Sequence, residues 1–194
     1  GIELVGDLCV GAIGAGPSGL VAVGSELLFA ADDCVAGVEL WRASGSAAPT
    51  LVKDINPGAA SAAISNVVVM DGRAYFRATA AGYGAELWSS DGTDAGTVMV
   101  KDIRVGTSGS SPANPKVIGG RLFFVATEAA TGAELYVSDG TAAGTFRLSD
   151  INPGTGASSP TNLVDLGGVC LFTATEPTLG RELYVASGAA DDVR

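Results

Sequence analysis

A period of about 48 residues runs through the chain four times, and it limits what the chain can fold into more than any other feature. An aromatic recurs at Phe29, Phe76, Phe124 and Phe172, spaced 47, 48 and 48. A Gly-x-Glu-Leu-aromatic block recurs at Gly37 to Trp41, Gly84 to Trp88, Gly132 to Tyr136 and Gly180 to Tyr184. A third landmark, Asp followed by Leu or Ile and then by Gly, falls at Asp7, Asp54, Asp102 and Asp150 with the same spacings. A unit this short cannot bury its apolar face alone, so the copies must stack on one another, as in solenoids, propellers or arrays.

Each copy reads as four short strands. In the third, Pro115 to Ile118 is apolar, Gly119-Gly120 is a turn, and Arg121 to Ala126 is a second β-rich run ending near Thr131 and Gly132. Ala133 to Val137 carries the recurrent aromatic, Ser138-Asp139-Gly140-Thr141 has turn chemistry, and Thr145 to Ile151 leads to Asn152-Pro153-Gly154, where the ladder must end. No segment has helical periodicity, and four strands in this length match one antiparallel propeller blade. With the strands named A to D from the axis outwards, strand A is expected to begin near Leu20, Val67, Pro115 and Leu163.

The ends of the repeat suggest closure. The fourth copy runs out after its strand C, while Gly1 to Asp7 aligns with the strand D segments that end at Asp54, Asp102 and Asp150. The expectation is an all-β chain, a single domain over 1–194, forming a β-propeller of four four-stranded antiparallel blades closed by an N-terminal strand at 1–8. An eight-bladed ring made from two chains is the competing solution, so the chain is expected as a monomer or a ring-completing homodimer.

The balance of 11 basic against 21 acidic residues repels phosphate backbones and anionic lipid, which argues against nucleic acid as a partner. No apolar run is long enough for a membrane span. With no initiator Met and no signal core, residue 1 reads as a processed or trimmed end.

The run Glu86-Leu87-Trp88-Ser89-Ser90-Asp91-Gly92-Thr93, followed by Gly96-Thr97 and Lys101-Asp102-Ile103, resembles the ELWxxDGT repeat family of bacterial secreted and surface proteins. Copy three keeps Glu134-Leu135-Tyr136 and Ser138-Asp139-Gly140-Thr141, whereas copies one and four have lost the turn Asp, reading Ser44-Gly45-Ser46 and Ser187-Gly188-Ala189. The turn is also similar to the Asp-box hairpins of other propellers. The resemblance implies a repeat type and brings no reaction with it.

Enzymatic chemistry finds little support in the residues. There is no His, which removes the commonest general base and the usual triads. Gly11-Ala12-Ile13-Gly14-Ala15-Gly16 resembles a dinucleotide fingerprint loosely, but no helix follows it. Asp91 and Asp139 read as turns that bond their own backbone rather than as calcium ligands, since hard cations need more oxygens than these loops offer. Neither Glu39, Glu86, Glu134 and Glu182 nor the four landmark Asp residues can meet across blades, so they read as solvated or backbone-bonded positions. No metal and no cofactor is expected.

Only the innermost strands converge, and there Asn66, Asn114 and Asn162 occupy equivalent places, with Gly19 in the first copy. These amides, with Ser18, Ser65 and the off-framework aromatic Tyr83, form the candidate ligand site, suited to sugar hydroxyls or anions. The competing reading is that Asn caps a turn entering strand A. Cys9 and Cys34 fall in loops on one face and are the disulfide candidate; Cys170 reads as a buried thiol. Together these readings lead to a non-catalytic extracellular or cell-surface module with a protein or glycan partner. A carbohydrate-binding lectin is the runner-up, and a propeller-type glycan hydrolase or lyase comes third.

Overall fold

The computed structural model describes residues 1–11 and 13–189, in which fifteen strands and no helix form four antiparallel sheets. Blade 1 holds β1 (Ser18–Val23), β2 (Glu26–Asp32), β3 (Val38–Ala43) and β4 (Thr50–Lys53). Blade 2 holds β5 (Ser65–Met70), β6 (Arg73–Ala80), β7 (Gly84–Ser90) and β8 (Val98–Lys101). Blade 3 holds β9 (Ala113–Ile118), β10 (Arg121–Glu128), β11 (Gly132–Ser138) and β12 (Phe146–Arg147). Blade 4 holds three strands, β13 (Thr161–Asp165), β14 (Cys170–Glu176) and β15 (Gly180–Ala186). Strand order within each sheet follows the chain, as tight turns between neighbouring antiparallel strands require.

The second and third strands of a blade pair without a break, for example from Ala74↔Ser90 to Ala80↔Gly84. The first strand is irregular. It starts two residues before the expected place in every copy, because a bulge shifts the register between Ser18 and Val21, Ser65 and Val68, and Thr161 and Val164. The residue inside each bulge has a left-handed backbone: Gly19, Asn66, Asn114 and Asn162 lie at φ 62, 56, 53 and 56. Gly and Asn are the residues that tolerate this region, so one backbone requirement explains both the recurrence of Asn and its replacement by Gly in copy one.

The expected fourth strand of copy three, Thr145 to Ile151, is reduced to Phe146–Arg147. One further ladder bond, from Leu148 N–H to Leu135 O, follows before the chain leaves for the linker to blade 4.

Alternation of side chains gives each blade two apolar faces with different residues. The forward face of blade 1 (Leu40, Val52, Ile55) packs on the backward face of blade 2 (Ala74, Phe76, Trp88). Leu87, Val100 and Ile103 meet Leu122, Phe124 and Tyr136 in the same way, and Leu135, Val137 and Leu148 meet Cys170, Phe172 and Ala174. The recurrent Phe76, Phe124 and Phe172 are fully buried at these seams, each worth roughly 2–3 kcal/mol of burial.

Among the described residues no sheet is closed, and the expected closing strand at 1–8 is not formed. Gly1–Leu8 forms no strand, and among the described residues β15 pairs with β14 alone. The segment stays on blade 1, where Gly6 lies against the Pro49 ring and Leu8 packs with Phe29, Ala31 and Trp41. A disulfide from Cys9 to Cys34, with Cα atoms 5.4 Å apart, fastens it there. As a result Leu183 on β15 is 66% exposed, whereas its counterparts Leu40, Leu87 and Leu135 are 2% exposed or less.

Candidate functional site

Innermost strands of successive blades lie side by side, β1 with β5, β5 with β9 and β9 with β13. This brings the bulges into one row. A Cβ at Gly19 would sit 2.9 Å from Val67 Cγ2, so the first two inner strands are in close contact. Asn66, Asn114 and Asn162 are exposed along the row, beside the half-buried Ser65 and the exposed Ser18. The amides are not equivalent in detail. Asn66 Nδ2 donates to Pro112 O of the next blade at 3.1 Å, and Asn162 Nδ2 lies 3.3 Å from Thr173 Oγ1. Tyr83 is exposed in the turn between β6 and β7, with its N–H bonded to Ala80 O, and so belongs to a different loop from the bulges.

Arg181 is the site residue that the repeat pattern passed over. It stands where the other copies carry Val38, Ala85 and Ala133. Its guanidinium donates to Thr161 Oγ1, to Thr173 Oγ1 at 3.0 Å and to Ser159 O at 3.4 Å, which places a cation beside Asn162. The signal was present in the sequence as a break in the Gly-x-Glu-Leu block, where x is charged in one copy alone.

The recurrent glutamates have a structural task. Glu39 accepts the N–H groups of Ile55 (2.7 Å) and Ala62 (3.0 Å). Glu86 takes those of Ile103, Arg104 and Ser110 together with the Ser110 hydroxyl. Glu134 takes those of Ile151 and Ser158 and the Ser158 hydroxyl. All three are fully buried, and each carboxylate ties down the linker between its own blade and the next. Burial pushes Glu39 up to about 7 against the pull of its two N–H donors, and raises Glu86 and Glu134 in the same direction. The neighbouring Asp54, Asp102 and Asp150 each keep one buried oxygen without a hydrogen-bond partner. Glu182, the fourth of the series, is exposed.

The Asp-Gly turns are satisfied locally. Asp91 Oδ1 accepts the N–H and hydroxyl of Thr93, and Asp139 Oδ1 those of Thr141, which holds both carboxyls below their ordinary value. A Cβ at Gly96 or Gly144 would fall on these carboxylates, which accounts for the Gly that follows each turn. Among the described residues no group of three or more acidic, Cys or His side chains is placed to hold a metal ion.

An apolar cleft of about 560 Å³ lies on the backward face of blade 1, between the N-terminal segment at Leu4 to Leu8 and the sheet at Leu27 and Phe29. Nothing in the repeat pattern announced it, because it arises where the pattern is interrupted.

No protein-family model and no curated protein matches the chain. Solved structures do. A puromycin hydrolase mutant complexed with PGG superposes with a TM-score of 0.60 at 17% identity, covering 93% of this chain and 28% of that one. One of two prolyl endopeptidases studied for inter-domain dynamics gives 0.54 at 17% identity, covering 88% and 24%. A GH43 glycoside hydrolase with endo-xylanase and exo-arabinofuranosidase activity is a looser match at 0.39 and 14% identity, covering 90% and 40%. The likeness is one of propeller fold, and the chain spans about a quarter of the length of the first two. These matches run against the expectation of a surface or binding module, the lectin version included, since the structures that share the arc are a hydrolase and a peptidase; at 17% identity they show the fold alone. Among the described residues no helix is long and apolar enough to cross a membrane.

Proposed function

We propose that the chain is the propeller part of a hydrolase, shaping and admitting the substrate, with the bond-breaking groups carried outside the described residues. This is the third of the sequence readings, widened from glycans to peptides. The observation that carries it is the row of exposed amides at Asn66, Asn114 and Asn162 on the inner strands, ended by the Arg181 guanidinium. Such a row offers donors and acceptors to an extended polymer passing along the axis, while the carboxylates that hydrolysis would need are tied into the linkers. The fold shared with larger hydrolases supports the same reading.

Three finer features belong with it. The ring is closed by further blades beyond these four, since Leu183 on blade 4 is exposed where its counterparts in the other blades are buried against a neighbour. The Cys9–Cys34 disulfide suits an oxidising compartment, at the cell surface or outside it. The repeat is of the ELWxxDGT type.

Calorimetric titration with a proline-containing tripeptide and with xylo-oligosaccharides tests the reading, alongside turnover assays on chromogenic versions of both. Expected is binding of one ligand class without turnover, weakened about tenfold in an Asn66→Gly/Asn114→Gly variant that keeps the bulge backbone. Turnover by the chain alone, or silence towards both classes, overturns it.

A further inference from the structure

Blade 1 and blade 4 carry the two unpaired halves of an interface that the chain builds three times elsewhere. On the forward face of blade 4, Leu166, Leu183 and Val185 are exposed, while their counterparts Ile118, Leu135 and Val137 are at most 1% exposed against the next blade. On the backward face of blade 1, Leu8 and Ala15 pack on Phe29 and Trp41 as Ile55 and Ala62 join Phe76 and Trp88 one blade on. The backbone agrees: Asp32 N–H donates to Ala15 O at 2.9 Å, as Thr79 N–H does to Ala62 O. The N-terminal segment therefore occupies the place of a fourth strand and linker that belong to a preceding blade. The 560 Å³ cleft lies between this segment and the sheet of blade 1. Among the described residues blade 4 is a sheet of three strands.

We infer that blade 4 of a second copy of this chain fills the cleft on blade 1, so that two copies complete one eight-bladed ring through two identical head-to-tail interfaces. In this arrangement Glu182 of one copy ties down the linker at Leu8 and Ala15 of the other, the bond that Glu39 makes to Ile55 and Ala62. The pairing of Arg42 with Thr50 and Trp41 with Leu51 fixes the register: Val185 meets Glu3 and Tyr184 meets Leu4 across the copies. A copy cannot serve itself, because its own two faces stay apart, with Leu183 66% and Leu4 81% exposed. Ring closure by further blades is the only part of the functional reading on which this docking depends, and substrate binding can fail without affecting it.

Sedimentation velocity of the native chain tests the docking directly. Expected is a species of twice 19.2 kDa, reduced to the single mass by Leu183→Glu, a change at an exposed position that leaves circular dichroism unaltered. Glu182→Gln should raise the dissociation constant about tenfold or more. A Glu3→Cys/Val185→Cys variant, both sites exposed, should oxidise to a covalent dimer. A native chain that stays monomeric at hundreds of micromolar, a polydisperse series of longer assemblies, a Leu183→Glu dimer, or a bond formed within one chain each overturns it.

Discussion

Glu86 on β7 and Ser110 in the linker to blade 3 are joined twice, since Oε1 accepts the Ser110 N–H at 2.8 Å and Oε2 accepts its hydroxyl at 2.5 Å. Both residues are fully buried at the seam between two blades. Removing the carboxylate with Glu86→Ala strands the N–H groups of Ile103, Arg104 and Ser110 away from water. The expected cost is about 3–5 kcal/mol, read as a lower urea midpoint, against about 1–2 kcal/mol for Ser110→Ala, which keeps the backbone bond.

The first linker lacks the second half of this arrangement, because Ala62 stands where the others have Ser110 and Ser158. Ala62→Ser should supply the missing hydroxyl to Glu39 at a site that already accommodates Ser in two other blades. A gain of about 1 kcal/mol in chemical denaturation is expected, and a loss would show that the first seam is packed differently.

Glu39 also sets a pH dependence. Burial raises it from the ordinary 4.5 to about 7, so the folded chain binds this proton more tightly than the unfolded chain does. Its contribution to stability is complete below the unfolded value and is lost as pH rises through about 7. Asp91 and Asp139, held low by Thr93 and Thr141, act in the opposite sense and lose their contribution only in acid. Thermal melts across the window from mildly acidic to mildly basic pH should fall for the native chain and stay flatter for Glu39→Gln. Equal slopes would remove Glu39 as the cause.

Much of the fold was legible because the repeat reports packing directly. Leu40, Leu87 and Leu135 recur because each meets a neighbouring blade, and the turn at Asp139 reads correctly because its chemistry is local. What escaped depends on distant partners. The glutamates look like surface charge in a strand, and only the linker more than twenty residues on shows why they are buried. The bulges were hidden because Asn at φ 56 and Asn in an ordinary turn look alike in sequence. The N-terminal segment reads as a fourth strand by alignment with Asp54, but it forms no strand and packs through Leu8 on Phe29 and Trp41 of blade 1. Arg181 was missed because attention to what recurs discounts the one copy that differs.

Asp139 and its turn are predicted to work without an ion. Asp139→Ala should cost about 1 kcal/mol by freeing the Thr141 N–H and hydroxyl, comparable to loss of a helix cap. Gly144→Ala should cost more, since its Cβ would displace the carboxylate itself. Millimolar calcium should leave the melting temperature of the native chain unchanged, and a rise abolished by Asp139→Ala would assign the loop to cation binding instead.

Asn114 separates backbone need from recognition. Its φ of 53 is the same region that Gly19 occupies in blade 1, so Asn114→Gly should leave stability within about 0.5 kcal/mol of the native chain. Asn114→Ala, which brings a Cβ without the local hydrogen bonding of Asn, should cost about 1 kcal/mol. If the amide serves the substrate row, titration with the ligand that the native chain binds will show the Gly and Ala variants weakened alike, although only one is destabilised. If Asn114 serves the bulge alone, the Gly variant will bind as the native chain does, and the candidate site loses its central residue.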